Sequence, residues 1–227
     1  MLLRENRVDT FISYASDIRR TAGRIKKYLD HYGFNCFLAH EDIPPQTIWP
    51  AEILNALKKC DLFLPLLTPK FIESFYCQQE TGFAYCRGVE ILPVMISKEP
   101  MGMIADLQAV RFNKKKFDSS CWKIVQHVAK RESLSKPVLD ALVSWFGKSD
   151  SYDTAAKRAK MILNKFDFDP RQVKKIRQHI KENPQIHETK EARDSIFKFM
   201  DKYSSYFDEE FRDWYDSKRA SRMWMRY

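Results

Sequence analysis

The chain has 227 residues, a formal net charge of +9, and 44% hydrophobic and 14% aromatic residues. That length fits one larger domain or two small ones, with ample apolar material for a core. No apolar run reaches the ~20 residues of a membrane span, and the first residues, Met1-Leu2-Leu3-Arg4, carry no secretory stretch.

A cytoplasmic protein without membrane partners is therefore expected. Cys36, Cys60, Cys77, Cys86 and Cys121 are odd in number and form no CxxC pair, which predicts reduced, mostly buried thiols and neither disulfides nor zinc. His31, His40, His127, His179 and His187 are scattered, and no metal is assigned to them. The positive charge favours anionic partners. No nucleic-acid-binding signature or Walker loop accompanies it, so a solvated basic surface is expected and nucleic acid is not.

In chain order, the first strand is read at Val8–Tyr14 and a helix at Ile18–Tyr32, where Ala22, Ile25 and Leu29 mark one face and Gly33 caps the end. A second strand follows at Phe34–Leu38, then a helix at Pro50–Lys59 that opens with proline. Asp61–Leu67 is the third strand. Phe75–Arg87 is a helix with Ser74 as N-cap and Gly88 after its end. Glu90–Ile96 and the shorter Ala109–Phe112 complete the strands. This β-α-β-α alternation predicts a parallel sheet with helices on both faces. Its crevice should lie beyond the carboxyl ends of the strands, where Ser13–Arg20, Ala39–Trp49 and Thr68–Glu80 meet.

From about Ser133 the strand-like runs stop. Helices are read at Pro137–Phe146, Tyr152–Phe166, Pro170–Glu182, Thr189–Tyr203 and Asp208–Ala220. Two domains are expected, 1–132 and a helical 133–227.

Within the crevice segments Glu80 falls in the second turn of its helix, one turn after Tyr76. Desolvation would raise its pKa and the helix N-terminus would lower it; the residues alone leave that contest open. They also leave open a solvated helix glutamate with no chemistry.

Four segments carry a family resemblance. Asp9-Thr-Phe-Ile-Ser-Tyr-Ala-Ser-Asp-Ile-Arg-Arg-Thr21 resembles the opening of Toll/interleukin-1 receptor (TIR) domains. His40-Glu-Asp-Ile-Pro-Pro-Gln-Thr-Ile-Trp49 is similar to that family's loop after the second strand. Cys60-Asp-Leu-Phe-Leu-Pro-Leu-Leu-Thr-Pro-Lys-Phe71 is similar to its third strand, and Ser74-Phe-Tyr-Cys-Gln-Gln-Glu80 to its Ser-x-Trp-Cys-x-x-Glu signature. The four stand in family order across roughly residues 7 to 130. The resemblance implies a flavodoxin-like five-stranded parallel sheet flanked by helices, followed here by an all-α region.

It also implies an activity. Many bacterial, plant and some animal TIR domains cleave the nicotinamide–ribose bond of NAD+, and the residue here that matches their catalytic glutamate is Glu80. An oxocarbenium-like state beside an anion suits that chemistry, with NAD+ as substrate and no metal or further cofactor. Phe11, Ser13, Tyr14, Arg19, Arg20, Trp49 and Tyr76 are the expected substrate-binding residues. Tyr76 stands where the family usually has tryptophan, with core packing as its other reading. Trp49 reads equally as a helix-start anchor, Arg19 and Arg20 as solvent-facing, and Cys77 as packing. Gln46, beside Pro44 and Pro45, replaces a usual glycine.

The expected role is a bacterial-type enzyme of antiphage defence or innate immune signalling. It would be activated by self-association of TIR domains, with the tail driving assembly or meeting an effector or sensor partner. The alternative is a non-enzymatic adaptor acting by TIR–TIR association. A phosphoacceptor receiver domain would want an aspartate ending the third strand, where Pro65-Leu66-Leu67-Thr68 stands.

Overall fold

A computed structural model describes residues 7–38 and 49–220, with side chains for 7–38 and 51–218. The loop containing Pro44, Pro45 and Gln46 lies outside them, and of Trp49 only the backbone is described.

The strands are β1 (Val8–Ser13), β2 (Phe34–Leu38), β3 (Leu62–Leu67), β4 (Glu90–Ile91), β5 (Val94–Met95) and β6 (Val110–Arg111). All pairings are parallel, in the order β2-β1-β3-β5-β6, with β4 also on β3. The single strand expected over Glu90–Ile96 is therefore two short pieces against one neighbour. Pro65 of β3 stands level with the break and has no N–H to give the ladder there, while Pro93 faces the other neighbour, its carbonyl accepting from the Val110 amide at 2.8 Å. Counted as one broken strand, the sheet has the flavodoxin-like order 2-1-3-4-5. Every residue of β3 is buried, as a parallel strand covered on both faces requires.

Helices α1 (Arg19–Leu29) and α5 (Phe117–Val128) pack together on one face. There the Arg24 guanidinium lies 3.9 Å from the centre of the Phe117 ring. The helix expected over Ile18–Tyr32 is trimmed to α1, with short 3-10 turns at Ser16–Ile18 and Asp30–Tyr32. Gly33 ends it at φ 85°, a conformation cheap only for glycine. Helices α2 (Trp49–Lys59), α3 (Pro69–Glu73) and α4 (Phe75–Arg87) cover the other face around Phe11, Leu57, Phe63, Phe71 and Ala84. Arg87, at the end of α4, donates to the carbonyls of Leu57 and Cys60 and so ties α4 to the turn entering β3.

The chain falls into two compact units that divide between Val138 and Leu139, inside α6 (Glu132–Gly147). Pro137, expected at a helix start, lies within this helix. The helix begins earlier because the amides of Leu134 and Ser135 both reach the Arg131 carbonyl, at 2.9 and 2.7 Å.

The second unit adds α7 (Tyr152–Ile162), α8 (Pro170–Glu182), α9 (Pro184–His187), α10 (Arg193–Lys202) and α11 (Glu209–Ala220). Asp169 and Gln172 form a reciprocal capping box on α8, as the Asp-Pro signal promised. The long helix expected over Thr189–Tyr203 is instead a 3-10 turn at Lys190–Ala192 followed by α10. Phe146, Ile176, Ile180, Phe199 and Tyr215 are buried in this unit. Among the described residues no helix is long and apolar enough to cross a membrane.

Candidate active site

From β1 the chain crosses through α1 to β2 on one side, while β3 lies on the other. The switch point is thus between the carboxyl ends of β1 and β3, where α/β sheets place their ligands. Two caps build the mouth. Thr68 accepts from the Phe71 amide at 3.2 Å to start α3, and Ser74 accepts from the Cys77 amide at 3.3 Å to start α4.

The inward stripe of α4 is Cys77, Glu80, Thr81 and Ala84, the i, i+3, i+4, i+7 spacing that normally carries apolar residues. Thr81 satisfies its hydroxyl on the Cys77 carbonyl at 2.7 Å. Glu80 is only 7% exposed. Its Oε2 accepts a 2.5 Å hydrogen bond from Ser13 Oγ, at the end of β1. Among the described residues no lysine or arginine forms an ion pair with it. Burial pushes the Glu80 carboxyl from its ordinary value near 4.5 up to about 7, against the opposing pull of the Ser13 hydrogen bond. The net direction is upward, with burial the largest cause.

Glu80 lines a cavity of about 420 Å³ together with Ser13, Tyr14, Lys70, Tyr76 and Cys77. This volume lies in the range of small-molecule sites. Ser13 and Tyr14 stand in its wall as expected. Tyr76 also lines it, and at 72% exposed its ring is a rim and not core packing. Cys77 is buried, and burial raises its thiol pKa, so it remains a neutral packing group.

Other expected residues stand elsewhere. Phe11 does not line this cavity: it is fully buried, its ring 5.3 Å from Phe37 and 5.8 Å from Phe63 across the paired strands. Arg19 and Arg20 are exposed on the first turn of α1 and do not line it either. The side chain of Trp49 lies outside the described residues. Among the described residues the cation lining the cavity is Lys70, missed in the sequence although Thr68–Glu80 was read as a crevice segment. Its signal was its place in the first turn of the helix that leaves β3.

A larger hollow of about 660 Å³ opens near Arg7, Asp9, Asn35 and Asp61, at the amino ends of the strands. There Asn35 donates to Asp9 at 2.7 Å, and the Asp61 carboxylate accepts from the Asp9 amide at 3.0 Å. The buried acid, Glu80, is at the other end, with no ion pair among the described residues.

The family model of the TIR domain matches residues 10–125, just over half of the chain. The chain belongs to the TIR domain family. Six chains of solved structures match significantly. One is the TIR domain of the Toll-related receptor TRR-2 from the lower metazoan Hydra magnipapillata, 15% identical over 55% of this chain and 99% of that one, with a TM-score of 0.46. A search of curated proteins gives no significant match. Glu80, Ser13 and their cavity all fall within the matched TIR segment.

Proposed function

We propose that the TIR domain cleaves the nicotinamide–ribose bond of NAD+, with Glu80 as the catalytic residue. One observation carries this reading: a carboxylate with no cationic partner among the described residues is kept buried at the wall of an open cavity, at the switch point of the sheet. Such an arrangement costs stability, and groups with pKa values perturbed by burial cluster at functional sites.

In the reaction the bond from ribose C1′ to the pyridinium nitrogen breaks. Its electron pair leaves with nicotinamide, which departs neutral. Positive charge then develops on the ribose, and an ionised Glu80 stabilises it while accepting a hydrogen bond from a ribose hydroxyl. The positive pyridinium of bound NAD+ favours the ionised carboxylate against the burial that opposes it. Water adding at C1′ and shedding a proton gives ADP-ribose; a nucleophile within the same molecule gives a cyclic product. Lys70 is suited to the pyrophosphate, and the exposed face of Tyr76 to stacking on a base.

In this reading the enzyme serves defence or immune signalling, and bringing TIR domains together switches it on. Chromatography of NAD+ incubated with concentrated protein tests it. Nicotinamide should appear with the natural chain and be absent with Glu80→Gln; equal release by both would overturn the assignment. A second reading, a non-enzymatic adaptor working by TIR–TIR association, draws on the exposed apolar side chains Phe75 (86%) and Tyr76 (72%). An adaptor would leave NAD+ intact under all these conditions.

A further inference from the structure

The helical unit holds a second cavity, of about 580 Å³, between α8 and the turn at Ser204–Tyr206. Its charged walls are Lys174, Arg177 and Lys181 against the single acid Asp208. Lys174 and Lys181 stand two helical turns apart on α8, about 10 Å along its axis, with Arg177 between them on the same side.

Asp208 is already engaged twice. One oxygen accepts from Arg177 Nη2 at 2.9 Å, the other from the Phe211 amide at 2.8 Å. Arg177 is fixed further by the Phe211 ring, whose centre lies 4.7 Å from its guanidinium carbon. Its buried Nε finds no acceptor among the described residues. Lys174 and Lys181 likewise pair with no acid there. Two positive charges are therefore left over in one concavity, next to the hydroxyl-bearing Ser204 and Ser205.

Of the neighbouring cations of α8, Arg171 pairs with Asp140 at 2.6 Å, and Lys175 reaches the neutral Ser144 Oγ at 3.4 Å.

We propose that this cavity binds a phosphate-bearing small molecule of nucleotide size, its phosphate oxygens accepting from Lys174, Lys181 and the serine hydroxyls. Charge-assisted bonds from converging cations and hydroxyls are what phosphate recognition uses, and the volume suits such a ligand better than a lone ion. The proposal stands independently of the activity assigned to Glu80, because every group in it belongs to the helical unit.

Calorimetric titration of the full chain with inorganic pyrophosphate, ADP and a single-stranded oligonucleotide tests it. Pyrophosphate and ADP should bind, more weakly as salt rises. The pair Lys174→Glu with Lys181→Glu should lower affinity at least ten-fold. The pair Lys157→Glu with Lys160→Glu on α7 changes the net charge equally and should leave affinity unchanged. The neutral pair Lys174→Gln with Lys181→Gln, at exposed positions, should also weaken binding and guards against a folding defect.

No binding of pyrophosphate or ADP would overturn the proposal, as would binding of the oligonucleotide alone. So would equal weakening by the α7 pair, which would mean charge without a site. Binding undiminished by the α8 pairs would place the phosphate elsewhere, the Glu80 cavity included, and would overturn it too.

Discussion

Ser13, the last residue of β1, donates a 2.5 Å hydrogen bond to Glu80, 67 residues further along the chain. Among the described residues this bond is the contact that favours the ionised carboxylate against the burial that opposes it. Ser13→Ala should therefore raise the Glu80 pKa above about 7. A hydrogen bond to a charged group is worth enough to move the value by roughly one unit. In the proposed reaction nicotinamide release depends on the ionised form, so its kcat/KM should rise with pH through the Glu80 pKa, and the rising limb should shift to higher pH in Ser13→Ala. An unmoved limb in the variant would mean that another group sets the profile.

Glu80 also makes stability depend on pH. In the folded chain it takes up its proton near pH 7, in the unfolded chain near 4.5. Between those values the folded state holds more protons, so stability falls as pH rises from 4.5 to 7 and stays lower above it. The full shift corresponds to at most ~3 kcal/mol at pH 8. Glu80→Gln keeps an acceptor for Ser13 and removes the buried charge. It should gain up to that amount in urea unfolding at pH 8 and little at pH 5, while losing the activity. A gain independent of pH would put the cause in packing.

Much of this site was legible in the residues, for reasons that differ from element to element. The strands β1, β2 and β3 showed as apolar runs of strand length. Helix α4 was bounded by the side chain of Ser74 and by Gly88, which ends it at φ 68°. The position of Glu80 carried its own signal, since it interrupts an inward stripe that Cys77 and Ala84 define. What the residues did not reveal depends on how far a side chain reaches. Phe11 and Ser13 alternate onto one face of β1, yet only Ser13 is close enough to the strand end to meet the cavity. Arg19 and Arg20 follow β1 directly, but the exposed first turn of α1 keeps them off the cavity wall. The break between β4 and β5 and the late start of α10 reflect missing or rerouted backbone hydrogen bonds, which apolar periodicity does not record.

Phe11 gives a direct check on that division. Fully buried between Phe37 and Phe63, it contributes cross-strand aromatic packing beneath the site. Phe11→Ala should cost ~3–5 kcal/mol in chemical unfolding. Phe11→Leu, which keeps most of the volume, should cost about 1–2 kcal/mol and leave KM for NAD+ unchanged. A raised KM in a stably folded Phe11→Leu would return this residue to the substrate contacts.

In the helical unit, Gly147 at the end of α6 is held to glycine by its neighbour. A Cβ there would come within 2.4 Å of the His179 ring, with Cγ as well as the outer atoms in the way. The whole ring would have to swing aside. Alanine would otherwise gain up to ~1 kcal/mol over glycine in a helix, so the sign of Gly147→Ala reports whether His179 can yield. His179 belongs to α8, whose Val173, Ile176 and Ile180 are buried beside it, and overpacking in such a setting costs ~1–3 kcal/mol. Gly147→Ala should therefore be net destabilising. Adding His179→Ala should recover more stability than the two single effects summed, a positive coupling readable in a double-mutant cycle. Additive effects would show that the ring moves freely and that glycine is kept there for another reason.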